Sequence, residues 1–222
     1  MIIEVCIESI EGLNTAKKFN LDRIEICGDL NNDGLTPETN FQKNAEEYFL
    51  NDRYIMIRPH FKSFQYCISD VKIMKESILI ASKFNPKGVV FGALNEANEI
   101  DIKTNEQLIN HAKNLNLKCT FHRAFDICND PIKSFNKIKS MGFDWLLTSG
   151  QQSTAEKGIP ILKKLVELKD DKIKILAGGG ISVQNCKKFK SIGIDGIHFS
   201  IDKNQKIEEE KIKKIKYQLS ID

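Results

Sequence analysis

Along the chain, short runs dense in β-branched and other apolar residues alternate with longer stretches whose apolar residues recur at helical spacing. The strand-like runs fall at 2–7, 23–27, 54–58, 88–91, 117–122, 145–148, 174–177 and 195–199. Between them, 10–19, 38–50, 71–84, 106–115, 132–141, 155–168, 183–192 and 208–219 place apolar residues three and four apart on a polar background. That is the period of a helix burying one face. Eight strand–helix units without a composition break predict an α/β fold closed as a (β/α)8 TIM barrel, one domain over 1–222. The competing arrangement is a doubly wound open sheet. It needs a glycine fingerprint after the first strand, and Glu8-Ser9-Ile10-Glu11-Gly12 does not supply one.

Punctuation agrees. Thr36-Pro37, Asp130-Pro131 and Ser182 are predicted to open helices, where a side-chain oxygen satisfies orphan amides. Gly142 and Gly193 are predicted to close helices in the left-handed conformation that glycine adopts at low cost.

Composition adds exclusions. The 222 residues are 41% hydrophobic and 28% charged, with a net charge of +3. The lysines are dispersed, densest between Lys206 and Lys216, and form no basic stripe, so no nucleic-acid partner is expected. No apolar run reaches the length of a membrane span. The start, Met-Ile-Ile-Glu-Val-Cys, lacks the basic n-region of a signal peptide. Six cysteines at irregular spacing, without a C-x-x-C pair, argue against a disulfide framework and a zinc ribbon. Free thiols in a reducing cytoplasm are expected.

In such a barrel the chemistry sits at the C-terminal strand ends. Strands one and two share an echo, Glu4-Val5-Cys6 and Glu25-Ile26-Cys27. Side chains two apart face the same way, and neighbouring strands lie roughly 4.8 Å apart. If these residues face inward, Cys6 and Cys27 are either small core residues or a two-thiolate clamp for a soft ion such as Cu(I). Arg58, at the end of strand three, either pairs with the buried glutamates or clamps an anion. Alternation in Cys119-Thr120-Phe121-His122 puts Thr120 and His122 on the barrel side, making His122 a candidate proton carrier or ligand. His198, in strand eight, is a second candidate. Thr148-Ser149-Gly150 and Gly178-Gly179-Gly180 end strands six and seven. Three glycines before a capped helix predict amides exposed to an anion or polar ligand; a tight turn is the alternative. No strand ends in Lys, which disfavours Schiff-base chemistry.

Taken together, Glu4-Val5-Cys6, Asp22-Arg23-Ile24-Glu25-Ile26-Cys27, Gly34-Leu35-Thr36-Pro37, Ile57-Arg58-Pro59, Thr120-Phe121-His122-Arg123-Ala124-Phe125-Asp126, Leu147-Thr148-Ser149-Gly150 and Ala177-Gly178-Gly179-Gly180-Ile181 resemble the copper homeostasis protein CutC family. The resemblance implies a cytoplasmic barrel, usually a homo-oligomer, with Cys6 and Cys27 matching the proposed copper ligands. The chain departs from the family pattern in two places. Arg58-Pro59-His60-Phe61-Lys62-Ser63 replaces the usual Arg-Pro-Arg-Gly-Gly loop, and a long segment after strand eight is missing.

Two functions therefore stand side by side. One is copper binding, as Cu(I), by Cys6 and Cys27. The other is an enzyme on a small anionic or sugar-like substrate. Its catalytic candidates are Glu25, Arg58, His122, Arg123 and Asp126, and its ligand-binding candidates are Ser149, Gly178, Gly179, Gly180 and His198. Glu25 is expected to pair with Arg58 or Arg123.

Overall fold

A computed structural model describes residues 1–203 and 206–220. Eight parallel strands close into a barrel in chain order: β1 (Ile2–Ile7), β2 (Arg23–Ile26), β3 (Asp52–Met56), β4 (Gly88–Phe91), β5 (Lys118–Phe121), β6 (Trp145–Thr148), β7 (Lys174–Gly178) and β8 (Gly196–Ser200). The main helices are α1 (Ile10–Lys18), α2 (Thr39–Tyr48), α3 (Ile68–Ser82), α4 (Ile102–Asn114), α5 (Pro131–Met141), α6 (Ile159–Leu168), α7 (Cys186–Ser191) and α8 (Glu209–Ser220). A small antiparallel pair, β9 (Asp202–Lys203) with β10 (Lys206–Ile207), joins β8 to α8. The predicted (β/α)8 barrel is therefore the fold, and the open-sheet alternative is not.

Period-two alternation divides the strand residues between two cores. Val5, Ile24, Ile55, Phe91, Phe121, Ile175 and Ile197 face outward and pack with the helices. Cys6, Cys27, Tyr54, Met56, Val90, Trp145, Leu147 and Leu176 pack together inside the barrel. Fully burying a side chain such as Phe121 contributes about 1.5–3 kcal/mol.

One local device recurs and fixes the strands in register. A residue with positive φ, then an apolar residue, then an aspartate precede three of the strands: Asn20-Leu21-Asp22, Gly142-Phe143-Asp144 and Gly193-Ile194-Asp195. Each aspartate accepts the amide of a residue in the preceding strand: Asp22 from Ile3 at 3.0 Å, Asp144 from Cys119 at 2.9 Å, Asp195 from Ile175 at 2.8 Å. The left-handed residue turns the chain, the apolar residue anchors it in the core, and the carboxylate ties neighbouring strands together.

Of the predicted helix starts, Asp130 holds: its carboxylate accepts the Ile132 and Lys133 amides. The other two are corrected. α2 begins at Thr39, and the Thr36 hydroxyl accepts the Arg58 amide instead. α7 begins only at Cys186, because Asn185 and Ser182 close a turn before it. The triple glycine is thus separated from that six-residue helix, so any anion binding there comes from the turn and not from a helix terminus.

Candidate functional site

The C-terminal strand ends open on a cavity of about 1290 Å³. A charged layer lies beneath it, reaching the cavity through Glu25 and His198. Glu4 stands opposite Arg23 on one side and His198 on the other in the strand register. Arg23 is 1% exposed, ion-pairs with Glu4, donates to the Thr120 hydroxyl at 2.9 Å, and lies 3.3 Å from the Tyr54 ring centroid and 4.8 Å from that of Trp145. A buried guanidinium persists only with such a partner and aromatic cover. His198 Nδ1 lies 2.7 Å from Glu4 and 3.4 Å from Glu25.

Two carboxylates thus face two cationic groups, with opposite consequences for the carboxylates. Burial raises the Glu4 pKa, but the Arg23 charge and the His198 hydrogen bond outweigh it and hold the carboxyl below its usual range. Glu25, with less compensation, is pushed by burial up to about 7, opposed by His198 and reinforced by Glu4. Burial pulls His198 down, yet its neighbours Cys6, Glu25 and Glu4 hold it well above the usual histidine range. Glu4, Glu25 and His198 together form the one metal-compatible cluster among the described residues. Arg23 already pairs with Glu4, and His198 lies against both carboxylates, so the charges of the set balance without an ion.

Cys6 and Cys27 are both buried and both line the cavity. Burial, with the Glu25 and Cys6 charges adding to it, drives the Cys27 thiol well above its usual range. Gly34, with φ of +83°, closes over Cys27: a Cβ there would come within 3.3 Å of the sulfur.

One wall carries Arg58 and His122. Arg58 donates to the Asn32 carbonyl at 2.8 Å and the Gly34 carbonyl at 3.2 Å, and stacks 4.8 Å from the Phe64 ring centroid. Its expected ion pair with Glu25 is not formed; nor does Arg123 make one, because His198 takes that place. His122 accepts the Ala124 amide through Nδ1 at 3.3 Å, so Nε2 carries the proton. Burial and the Arg58 charge pull its pKa down to about 3, and it is a neutral donor at physiological pH.

The rim beyond His122 carries Arg123, Asp126, Gly179 and Gly180. Asp126 accepts from Arg123 Nε at 2.8 Å, the Ser149 amide at 3.0 Å, the Gln151 amide at 3.2 Å and the Thr148 hydroxyl. These bonds engage both carboxylate oxygens, so Asp126 ties Arg123 to the end of β6 and organises the wall. Ser149 and Gly178 lie behind the cavity surface. Ser149 is fully buried, and a Cβ on Gly178 would meet a Leu147 methyl at 2.6 Å.

The structure therefore gathers Cys6, Cys27, Glu25, Arg58, His122, Arg123, Asp126, Gly179, Gly180 and His198 around one cavity. Sequence reasoning passed over Arg23 as a site residue. Its signal was available, because it shares the inward parity of Glu25 and Cys27.

The CutC family model matches residues 1–203. A CutC family protein from Pasteurella multocida is 38% identical over 201 residues, 90% of this chain and 82% of that protein. The crystal structure of a CutC from Streptococcus agalactiae, described as a copper homeostasis protein, superposes with a TM-score of 0.83 at 31% identity. It covers 90% of this chain and 98% of that one. A 3-hexulose-6-phosphate synthase from Salmonella typhimurium, at 17% identity and a TM-score of 0.68 over 99% of this chain and 98% of that one, shares the barrel alone.

Proposed function

The chain belongs to the CutC family, and from that premise we propose that it serves copper homeostasis in the cytoplasm, binding Cu(I) through Cys6 and Cys27. The observation that carries this reading is that both thiols are buried on the wall of one cavity, with the His198 imidazole beside Cys6. Two sulfurs are a soft donor pair suited to Cu(I) and ill-suited to Mg or Ca. The Glu4, Glu25 and His198 cluster does not compete, since its charges already balance. The homo-oligomeric state implied by the family resemblance belongs to the same reading and is checked by light scattering. No helix among the described residues is long and apolar enough to cross a membrane.

The test is anaerobic Cu(I) titration against a competing chelator. One tight equivalent in the wild type, lost in a Cys6→Ser, Cys27→Ser double variant, supports the proposal. Equal binding by both proteins overturns it, because Cys67, Cys119, Cys128 and Cys186 remain as controls.

A second reading is favoured by the cavity itself. About 1290 Å³, with Arg58, His122 and Arg123 among its lining, is far more space and hydrogen-bonding capacity than one ion uses. Such a mouth suits a small anionic or sugar-like substrate, as an enzyme site at the catalytic face of the barrel. Substrate-dependent thermal stabilisation, lost in Arg58→Gln, is the expected sign.

A further inference from the structure

The rim formed by Arg123 and the glycine turn after β7 is a built anion pocket. Arg123 is held by Asp126 through Nε and by the Ser149 hydroxyl through Nη2 at 3.2 Å, which leaves Nη1 free to face a ligand. The ion pair with Asp126 fixes the guanidinium against the glycine turn. Gly179 and Gly180 have φ of +99° and +73°, and a Cβ on Gly179 would lie 3.4 Å from Arg123 Cζ and Nη2. The guanidinium therefore packs against bare backbone. The Gly180 and Ile181 amides donate to no protein group among the described residues. Successive turn amides beside a fork of guanidinium hydrogens make an anion-binding concavity.

A second, independent observation concerns what lies beneath. His122 Nε2, Arg58 Nε and Glu25 Oε1 are buried without a partner. Two donors and one acceptor left orphaned on the cavity wall cost stability unless a ligand meets them. We propose that Arg123, Gly180 and Ile181 form a phosphate subsite. The ligand is a small phosphate monoester whose hydroxyl- or carbonyl-bearing body lies in the cavity between His122, Arg58 and Glu25. The inference rests on the reading that the mouth takes a small anionic molecule. It adds the end at which the charge sits and the polar groups the body must carry.

The experiment is calorimetric titration with inorganic phosphate at constant ionic strength, chloride being the balancing salt, and in parallel with citrate. Saturable phosphate binding is expected, weakened about tenfold or more in Arg123→Gln, since a charged hydrogen bond is lost. Gly180→Asp and Gly180→Asn provide an isosteric pair: both residues tolerate a left-handed backbone, and both share the strain of a Cβ placed 3.1 Å from Thr154 Cγ2, so their difference reports charge alone. Asp at 180 is expected to abolish phosphate binding by repulsion, and Asn to retain most of it. Equal phosphate affinity in the wild type, Arg123→Gln and Gly180→Asp overturns the subsite. Citrate binding without phosphate binding also overturns it while leaving the anionic-ligand reading intact. Binding of neither anion removes both.

Discussion

Cys6 stands in register with Glu25, not with Cys27, across the β1–β2 pair. The two thiols are therefore diagonal neighbours, with Cys27 one inward-facing position nearer the mouth. The offset follows from the stagger that closes a sheet into a barrel. It lets both sulfurs reach one cavity, with Glu25 level with Cys6 and one inward-facing position below Cys27.

Copper affinity should depend on pH through Cys27. Its thiol is held protonated, and a metal binds the thiolate, so each ion bound displaces a proton from it. Below the raised pKa, affinity should rise about tenfold per pH unit for that proton. Competition titrations at pH 6, 7 and 8 measure the slope. An affinity flat with pH would mean that Cys27 is not a ligand.

Arg23→Met should destabilise the protein by about 3–5 kcal/mol, because Glu4 would be left as a buried carboxylate without its main partner. Adding Glu4→Gln to that variant should recover a large part of the loss. Urea unfolding of the two single variants and the double variant gives the coupling directly. Additive losses would show that the pair is not an energetic unit.

Stability should fall in acid partly through His122. Its folded pKa, about 3, lies below the unfolded value near 6.5. Between these values the unfolded chain binds a proton that the folded protein refuses. Stability is then full above about pH 6.5 and declines as pH falls toward 3, by up to about 1.4 kcal/mol per pH unit. His122→Gln should flatten the stability profile over that window. An unchanged slope would place the acid sensitivity in other groups.

Gly88→Ala should be costly although the change is one methyl group. A Cβ there would meet the Lys118 carbonyl at 2.4 Å and the Tyr54 ring at 2.6 Å. Overpacking of this kind costs about 1–3 kcal/mol, or roughly 2–12 °C in melting temperature for a chain this size. The Tyr54 ring that covers Arg23 would have to move. A melting temperature unchanged from wild type would mean the strand relaxes freely.

Much of this architecture was legible because strand and helix periods are local. β1, β4 and β6 match their sequence-predicted bounds, and the remaining strands shift by one or two residues at their ends. Inward parity placed Glu4, Cys6, Glu25, Cys27, Thr120 and His122 correctly, since alternation within one strand is rigid. Pairings between strands were not legible. Glu25 met His198 instead of Arg58, because partner choice depends on barrel stagger, which leaves no mark in a single strand. The start of α7 was missed for a related reason: Asn185, not Ser182, supplies the oxygen that shapes the turn. The unusual loop after Pro59 could be noticed but not interpreted until Phe64 appeared beneath Arg58 and 4.9 Å from His122.

Copper-edge X-ray absorption on the protein loaded with one equivalent of Cu(I) tests the central claim most directly. Sulfur neighbours should dominate the first shell in the wild type. One should be lost in each single variant, Cys6→Ser and Cys27→Ser, and both should be absent in the double variant. A sulfur shell unchanged in the double variant, or a wild-type shell of nitrogen and oxygen alone, would contradict the account.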